Sequence, residues 1–116
     1  MGVITLHRPE VRNAMNLQMI REITAAIQEM NSDPGIRLML INSTGDHFCS
    51  GADLAWMKEG LEQSEEQLKS ESMELAALFR ALRGSEAPVI CSVKGVVSGG
   101  AIGLLAAADF VVAEET

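Results

Sequence analysis

The sequence is short of positive charge: nine Lys and Arg stand against sixteen Asp and Glu, for a net charge of −7. A nucleic-acid binder needs a basic face to neutralise phosphates, so this balance argues against that class. A smaller anionic ligand stays open, because helix N-termini and single Lys or Arg side chains act locally against the global sign. Cysteine is equally scarce. Cys49 and Cys91 are too few for a disulfide framework and too far apart for a CxxC metal or redox pair. Two reduced thiols, a cytoplasmic setting and no metal site are expected. Long apolar runs are missing as well. The longest uncharged stretch, residues 95–108, has 14 residues, below the roughly 18–20 of a membrane-spanning helix. The N-terminus lacks the basic stretch and apolar run of a signal or transit peptide. Leu6 stands where a myristoylation motif needs Ser or Thr. No membrane partner is expected.

What is present is an ordinary globular mix. Of 116 residues, 47% are hydrophobic and 22% charged, too apolar for disorder. The length is below the ~150 residues of an average domain, yet long enough for a core. Val3-Ile4-Thr5-Leu6 opens the chain as a strand. From Asn16, a plausible N-cap, apolar residues at Met19, Ile20, Ile23, Ile27 and Met30 follow helical period. Leu38-Met39-Leu40-Ile41 is a continuous apolar run, expected as a strand covered on both faces. A second helix is predicted from Ser64, where Ser64 and Gln67 have capping-box spacing, with Gly84 as its C-terminal stop. Its apolar face is Leu68, Leu75, Leu78, Phe79 and Leu82. Pro88-Val89-Ile90-Cys91-Ser92-Val93 is another strand. A glycine-rich turn then enters a small-residue helix, and Phe110-Val111-Val112-Ala113 begins one more strand. Strands alternating with helices define an α/β fold with mostly parallel strands. The last strand would be an uncovered edge, so residues 1–116 are expected to be part of a larger domain.

Two glycine turns carry the chemistry. The first is Phe48-Cys49-Ser50-Gly51-Ala52-Asp53-Leu54; the second is Lys94-Gly95-Val96-Val97-Ser98-Gly99-Gly100-Ala101-Ile102-Gly103. A glycine turn entering a helix leaves N–H groups unpaired, with the positive end of the helix dipole behind them. Two such turns facing one cleft would offer paired donors to a developing oxyanion. Glycines that merely permit tight turns and close packing are the competing explanation. Other glycine motifs fail. No glycine is followed by Lys and then Ser or Thr, as a P-loop requires, and only the GxxG tail of GxGxxG is present. Val96 occupies the first glycine position of a nucleophile elbow around Ser98.

His7-Arg8-Pro9-Glu10, Asn13-Ala14-Met15-Asn16, the two glycine turns and Ala108-Asp109 together resemble the crotonase (enoyl-CoA hydratase/isomerase) superfamily. The resemblance spans nearly the whole chain and corresponds to the N-terminal part of that family's catalytic domain. It implies a crotonase-type spiral of ββα units, truncated at the C-terminus, with residues 1–116 as a partial catalytic domain. It implies an acyl-CoA thioester substrate, no cofactor beyond that coenzyme A, an enolate intermediate, and a homotrimer or hexamer of the full-length protein. Carried over residue by residue, the oxyanion donors are the backbone N–H groups of Ala52 and Gly100. Val11, Arg12, Asn13 and Ala14, with Asp53, Leu54 and Ala55, would lie along the CoA moiety. The sequence departs from the two-carboxylate hydratases at Gly103, where they carry a glutamate. The Gly-Gly-Ala-Ile-Gly-Leu pattern is most similar to branched glutaconyl-type members such as the methylglutaconyl-CoA hydratases.

Single side chains carry two readings each. Asp53 can polarise substrate or cap a helix. His47 can be a base or an exposed loop residue, and Cys49 a nucleophile or an inert thiol. Trp56 and Met57 fit an acyl path or core packing. Arg8, Arg12 and Lys58 fit CoA phosphates or plain solvation. The acidic residues between positions 59 and 74 are expected on the outer face of a helix. Asp109 is expected as a structural hydrogen-bond partner. Two rival functions remain: a Clp-type serine peptidase using Ser98, and a non-catalytic acyl-CoA-binding paralogue, which Gly103 favours.

Overall fold

Apolar runs and capping residues generate a layered α/β unit in the computed structural model, which describes residues 1–97 and 101–113. The elements run β1 (Gly2–Leu6), α1 (Leu17–Asn31), β2 (Met39–Ser43), β3 (His47–Cys49), α2 (Leu54–Glu62), α3 (Glu65–Arg83), β4 (Val89–Val93), β5 (Val96–Val97), α4 (Ala101–Ala107) and β6 (Phe110–Ala113). A 3-10 turn, Pro9–Val11, links β1 to α1.

The main sheet has the order β1-β2-β4-β6, and every pairing is parallel. Ile4, Ile41, Cys91 and Val111 lie in one register row across it. A second, two-stranded parallel sheet pairs β3 with β5. The chain thus repeats one unit: a strand of the main sheet, a short strand of the second, then helix. β2-β3-α2 is one such unit and β4-β5-α4 the next. In the first turn of the chain the place of the short strand is taken by Met15, which makes an isolated parallel bridge to Ala52. This is the expected spiral of ββα units.

Helix starts follow the sequence closely. The Asn16 side chain accepts the Met19 N–H at 2.9 Å, and the Ser64 hydroxyl accepts the Gln67 N–H at 3.2 Å. Each satisfies an otherwise orphaned donor. Ile20 and Ile27 of α1, Leu78 and Leu82 of α3, and Met39 and Ile41 of β2 are all sealed in one core. The Asp109 carboxylate accepts the Val89 N–H at 2.7 Å, and its own N–H donates to the Val89 carbonyl at 2.9 Å. It therefore ties the α4–β6 junction to the start of β4, the structural role expected of it.

Several expectations change. Residues 47–54 form not one loop but a strand, a turn and the start of α2. Val96 and Val97, taken as part of a turn, pair as β5. The acidic stretch does not lie wholly outside: α2 and α3 break at Gln63, and Glu71 is buried.

Candidate active site

The site begins where residues 12–15 and 50–53 run side by side. The Ser50 N–H donates to the Arg12 carbonyl, the Met15 N–H to the Gly51 carbonyl, and the Asp53 N–H to the Met15 carbonyl, all within 3.1 Å. Arg12 and Asn13 hold φ of 57° and 56°, a left-handed pair without glycine, which costs energy unless neighbours enforce it. Asn13 does the enforcing. It is fully buried. Its amide donates to the carbonyls of Thr44 and His47 at 2.7 and 2.8 Å, and its side-chain oxygen accepts the Arg8 N–H at 2.6 Å.

Gly51 then turns the chain with φ of 99°, a conformation natural only to glycine. Ala52 follows, and Asp53 caps α2 by accepting the Trp56 N–H at 3.1 Å. The other Asp53 oxygen meets the Arg8 guanidinium at 3.3 Å, and the same guanidinium donates to the Ala14 carbonyl. Of the two readings of Asp53, the cap is the one observed.

In a parallel bridge, the residue flanked by the bonds turns its own N–H and C=O away from the partner. Met15 bonds to Gly51 and Asp53, so the Ala52 N–H faces outward, and among the described residues no hydrogen bond engages it. It opens on a cleft of about 790 Å³ whose walls include Val11, Arg12, Ala14, Ala52, Asp53, Leu54 and Ala55. Seven of the nine expected site residues therefore converge. Asn13 is not in the lining; it lies buried beneath, where it fixes the loop. Gly100 lies outside the described residues, as does Ser98.

The second glycine turn can be followed as far as Val97. Gly95 has φ of +77°, and a Cβ there would collide with the Asp46 carbonyl oxygen. Only glycine permits that approach. It seats β5 on β3 with Val97 opposite Cys49, three positions before Ala52. Gly103 faces α3: a Cβ there would lie 2.7 Å from the Phe79 ring.

Other candidates have quieter roles. Cys49 and Cys91 are buried, and desolvation raises both thiols, Cys91 to about 11. Neither is a nucleophile at neutral pH. The His7 ring hydrogen-bonds the Thr44 hydroxyl at 2.9 Å, and His47 is half-buried in β3. Lys58 is exposed. Trp56 donates its indole N–H to Glu71 at 3.1 Å. Sequence reasoning missed Glu71, although the spacing 71, 75, 78, 82 would have put it on the inward stripe of α3. Among the described residues no group of three His, Cys, Asp or Glu could hold a metal ion. No helix among them is long and apolar enough to cross a membrane.

Parallel ββα units and an unpaired amide at a helix N-terminus define a protein of the crotonase class, and comparison with known proteins agrees. The enoyl-CoA hydratase/isomerase family profile matches residues 1–116. The Bacillus subtilis protein YngF, a candidate enoyl-CoA hydratase/isomerase, is 39% identical over 99% of this chain and 44% of its own. The mitochondrial 3-hydroxyisobutyryl-CoA hydrolase of Bos taurus is 33% identical over 98% of this chain and 30% of its own. The crystal structure of a candidate Legionella pneumophila enoyl-CoA hydratase/isomerase, a crotonase, superposes with a TM-score of 0.92. It is 32% identical and covers 96% of this chain and 43% of that one. The chain belongs to the enoyl-CoA hydratase/isomerase family, and it spans less than half the length of these relatives.

Proposed function

We propose that the protein containing this chain binds an acyl-CoA thioester and hydrates or isomerises an enoyl-CoA. The observation that carries this reading is the Ala52 N–H. Among the described residues it makes no hydrogen bond, it stands one residue before the N-cap of a nine-residue helix, and Ala52 lines the cleft of about 790 Å³. A thioester oxygen placed there would gain charge on enolate formation, and a fixed amide donor stabilises that charge without reorganising. The Gly100 N–H is the second donor of the proposal. The pairing of Val97 with Cys49 supports it, because it joins the strands that lead into the two turns.

Val11, Ala14, Leu54 and Ala55 would flank the pantetheine, and Arg12, exposed and in no ion pair among the described residues, would meet the phosphates. Asn13 and Asp53 act by holding the loop and starting the helix. No acid stands at Gly103, so proton transfer falls to a carboxylate elsewhere in the whole protein. No further cofactor is needed for this chemistry, the protein would work in the cytoplasm, and the family's trimeric or hexameric assembly is the expected state.

The test is a panel of enoyl-CoAs on the full-length protein. Saturable hydration or isomerisation is expected, and Ala52→Pro, which lacks the N–H, should lower kcat about 10²–10³-fold with the fold intact by circular dichroism. Saturable binding without turnover would select the non-catalytic paralogue. Thioester hydrolysis in place of hydration would put the protein with the hydrolase relative. Neither binding nor turnover would end the proposal.

A further inference from the structure

Arg8 reaches the candidate site without standing in its cleft. It is not among the residues that wall the Ala52 cleft; it walls a separate groove between β1 and α1. Its backbone is fixed on both sides. The N–H donates to the Asn13 side-chain oxygen at 2.6 Å, and the carbonyl accepts the N–H groups of Val11 and Asn13 at 3.1 and 2.8 Å. From that anchor the guanidinium forks. One nitrogen donates to the Ala14 carbonyl, and the other meets Asp53 Oδ2 at 3.3 Å. The sequence left Arg8 between a CoA phosphate and plain solvation; its bonds go instead to the two segments that flank Ala52.

The Asp53 carboxylate sets the problem that this fork answers. It belongs to the residue after Ala52, and Asp53 walls the same cleft. Covalent geometry alone keeps the carboxylate carbon within about 8 Å of the Ala52 nitrogen. Only 11% of the Asp53 side chain is exposed, so solvent and salt screen its charge weakly. A backbone N–H and the end of a helix dipole supply partial positive charge, whereas a carboxylate carries a full negative one. Uncompensated, it would oppose the charge that develops on an oxygen held at the Ala52 N–H. An asparagine or a serine would cap α2 without that penalty. The aspartate is tolerable here because a guanidinium stands against its second oxygen.

We propose that Arg8 is a positioning residue of the oxyanion site, acting through Asp53: its guanidinium cancels the charge of the α2 cap, so that the Ala52 amide stands in a field that favours an anion. The inference rests on the acyl-CoA reading above. The fork serves both walls at once, because its other bond holds the Ala14 carbonyl, one residue before the Met15 that bridges Ala52. Two parallel donors in one plane suit arginine and not lysine. At separations of this order and an effective dielectric of about 20, exposing one full charge to the reacting oxygen changes a rate about 10–100-fold.

The experiment uses the full-length protein and an enoyl-CoA that it turns over. Arg8→Met should lower kcat about 10–100-fold and leave KM within about twofold, because the lost group acts on the developing charge and not on the bound substrate. Adding Asp53→Asn to Arg8→Met should recover most of that loss, since no charge then remains and the asparagine oxygen still caps α2. A merely structural staple predicts the reverse: the double variant lacks the same bonds and would be no faster than Arg8→Met. That result overturns the proposal, and so does a parental kcat in Arg8→Met or a loss confined to KM. Should Arg8→Met fail to fold, Arg8→Lys against Arg8→Gln carries the same test, because both keep a donor and only lysine keeps the charge. Lysine should be the faster by about tenfold, and equal kcat overturns the proposal. Each of these failures rejects the role of Arg8 alone. No turnover of any thioester by the unmutated protein rejects both that role and the acyl-CoA reading.

Discussion

At the scale of single residues, the site depends on an asparagine that touches no part of the cleft. Asn13 joins three segments: the turn after β1, the β2–β3 connection through Thr44, and β3 through His47. It also occupies the left-handed region, which asparagine tolerates better than most residues. Removing its side chain would orphan two carbonyls and one N–H, each worth about 1–3 kcal/mol when buried. Asn13→Ala should therefore lower unfolding free energy by at least about 3 kcal/mol in urea titrations. Asn13→Gly should lose the bonds but relieve the left-handed backbone, recovering about 1 kcal/mol. Equal stability of Asn13→Ala and the parent would refute the clamp. Asp53 contrasts with it. Its capping role was legible in the sequence, because a cap acts over three residues of contiguous chain. The partners of Asn13 lie 31 and 34 positions away. No local pattern announces such a bond, and the resemblance placed Asn13 along the ligand because the loop it fixes does line the cleft.

At the scale of elements, legibility followed which way the apolar residues point. α1 and the C-terminal half of α3 bury theirs, and their periodicity predicted them. Of α2 only the Asp53 cap was legible, for the opposite reason: Leu54, Met57 and Leu61 are exposed at 70%, 48% and 87%, so no inward stripe exists to detect. β3 and β5, three and two residues long, are too short for an alternating pattern, and only their pairing makes them strands. The packing of α4 on α3 leaves little room at Gly103. The Cβ direction at Gly103 leads into the Phe79 ring, so a larger side chain there overpacks the helix pair. Gly103→Glu should cost about 1–3 kcal/mol. Phe79→Ala in the same chain should recover part of that loss, giving a favourable coupling in a double-mutant cycle of thermal or urea unfolding. Additive losses would mean that the two residues do not meet.

At the scale of the whole molecule, the main sheet is finished on neither side in the same way. β1 alternates buried and exposed residues, with Val3 turned outward, as an edge strand beside solvent should. β6 does not alternate. All four of its residues are exposed, Phe110, Val111 and Val112 at 62%, 47% and 54%. It pairs with β4 and with no other described strand. The sequence allowed this much to be foreseen, because an apolar run following a glycine-rich helix has the composition of an interior strand. Crotonase-class relatives are more than twice as long as this chain, which fits an edge that the rest of such a domain would cover. With no described strand on the edge away from β4, apolar and uninterrupted by Pro or Lys, β6 is a template for pairing with a second chain. Residues 1–116 expressed alone should therefore associate as concentration rises, read as an increasing sedimentation coefficient. Val111→Lys, which puts a charge on the open strand without touching the cleft, should shift that association to higher concentration. A parent chain that sediments as a monomer throughout, or a variant that associates equally well, would show that β6 is protected by another surface.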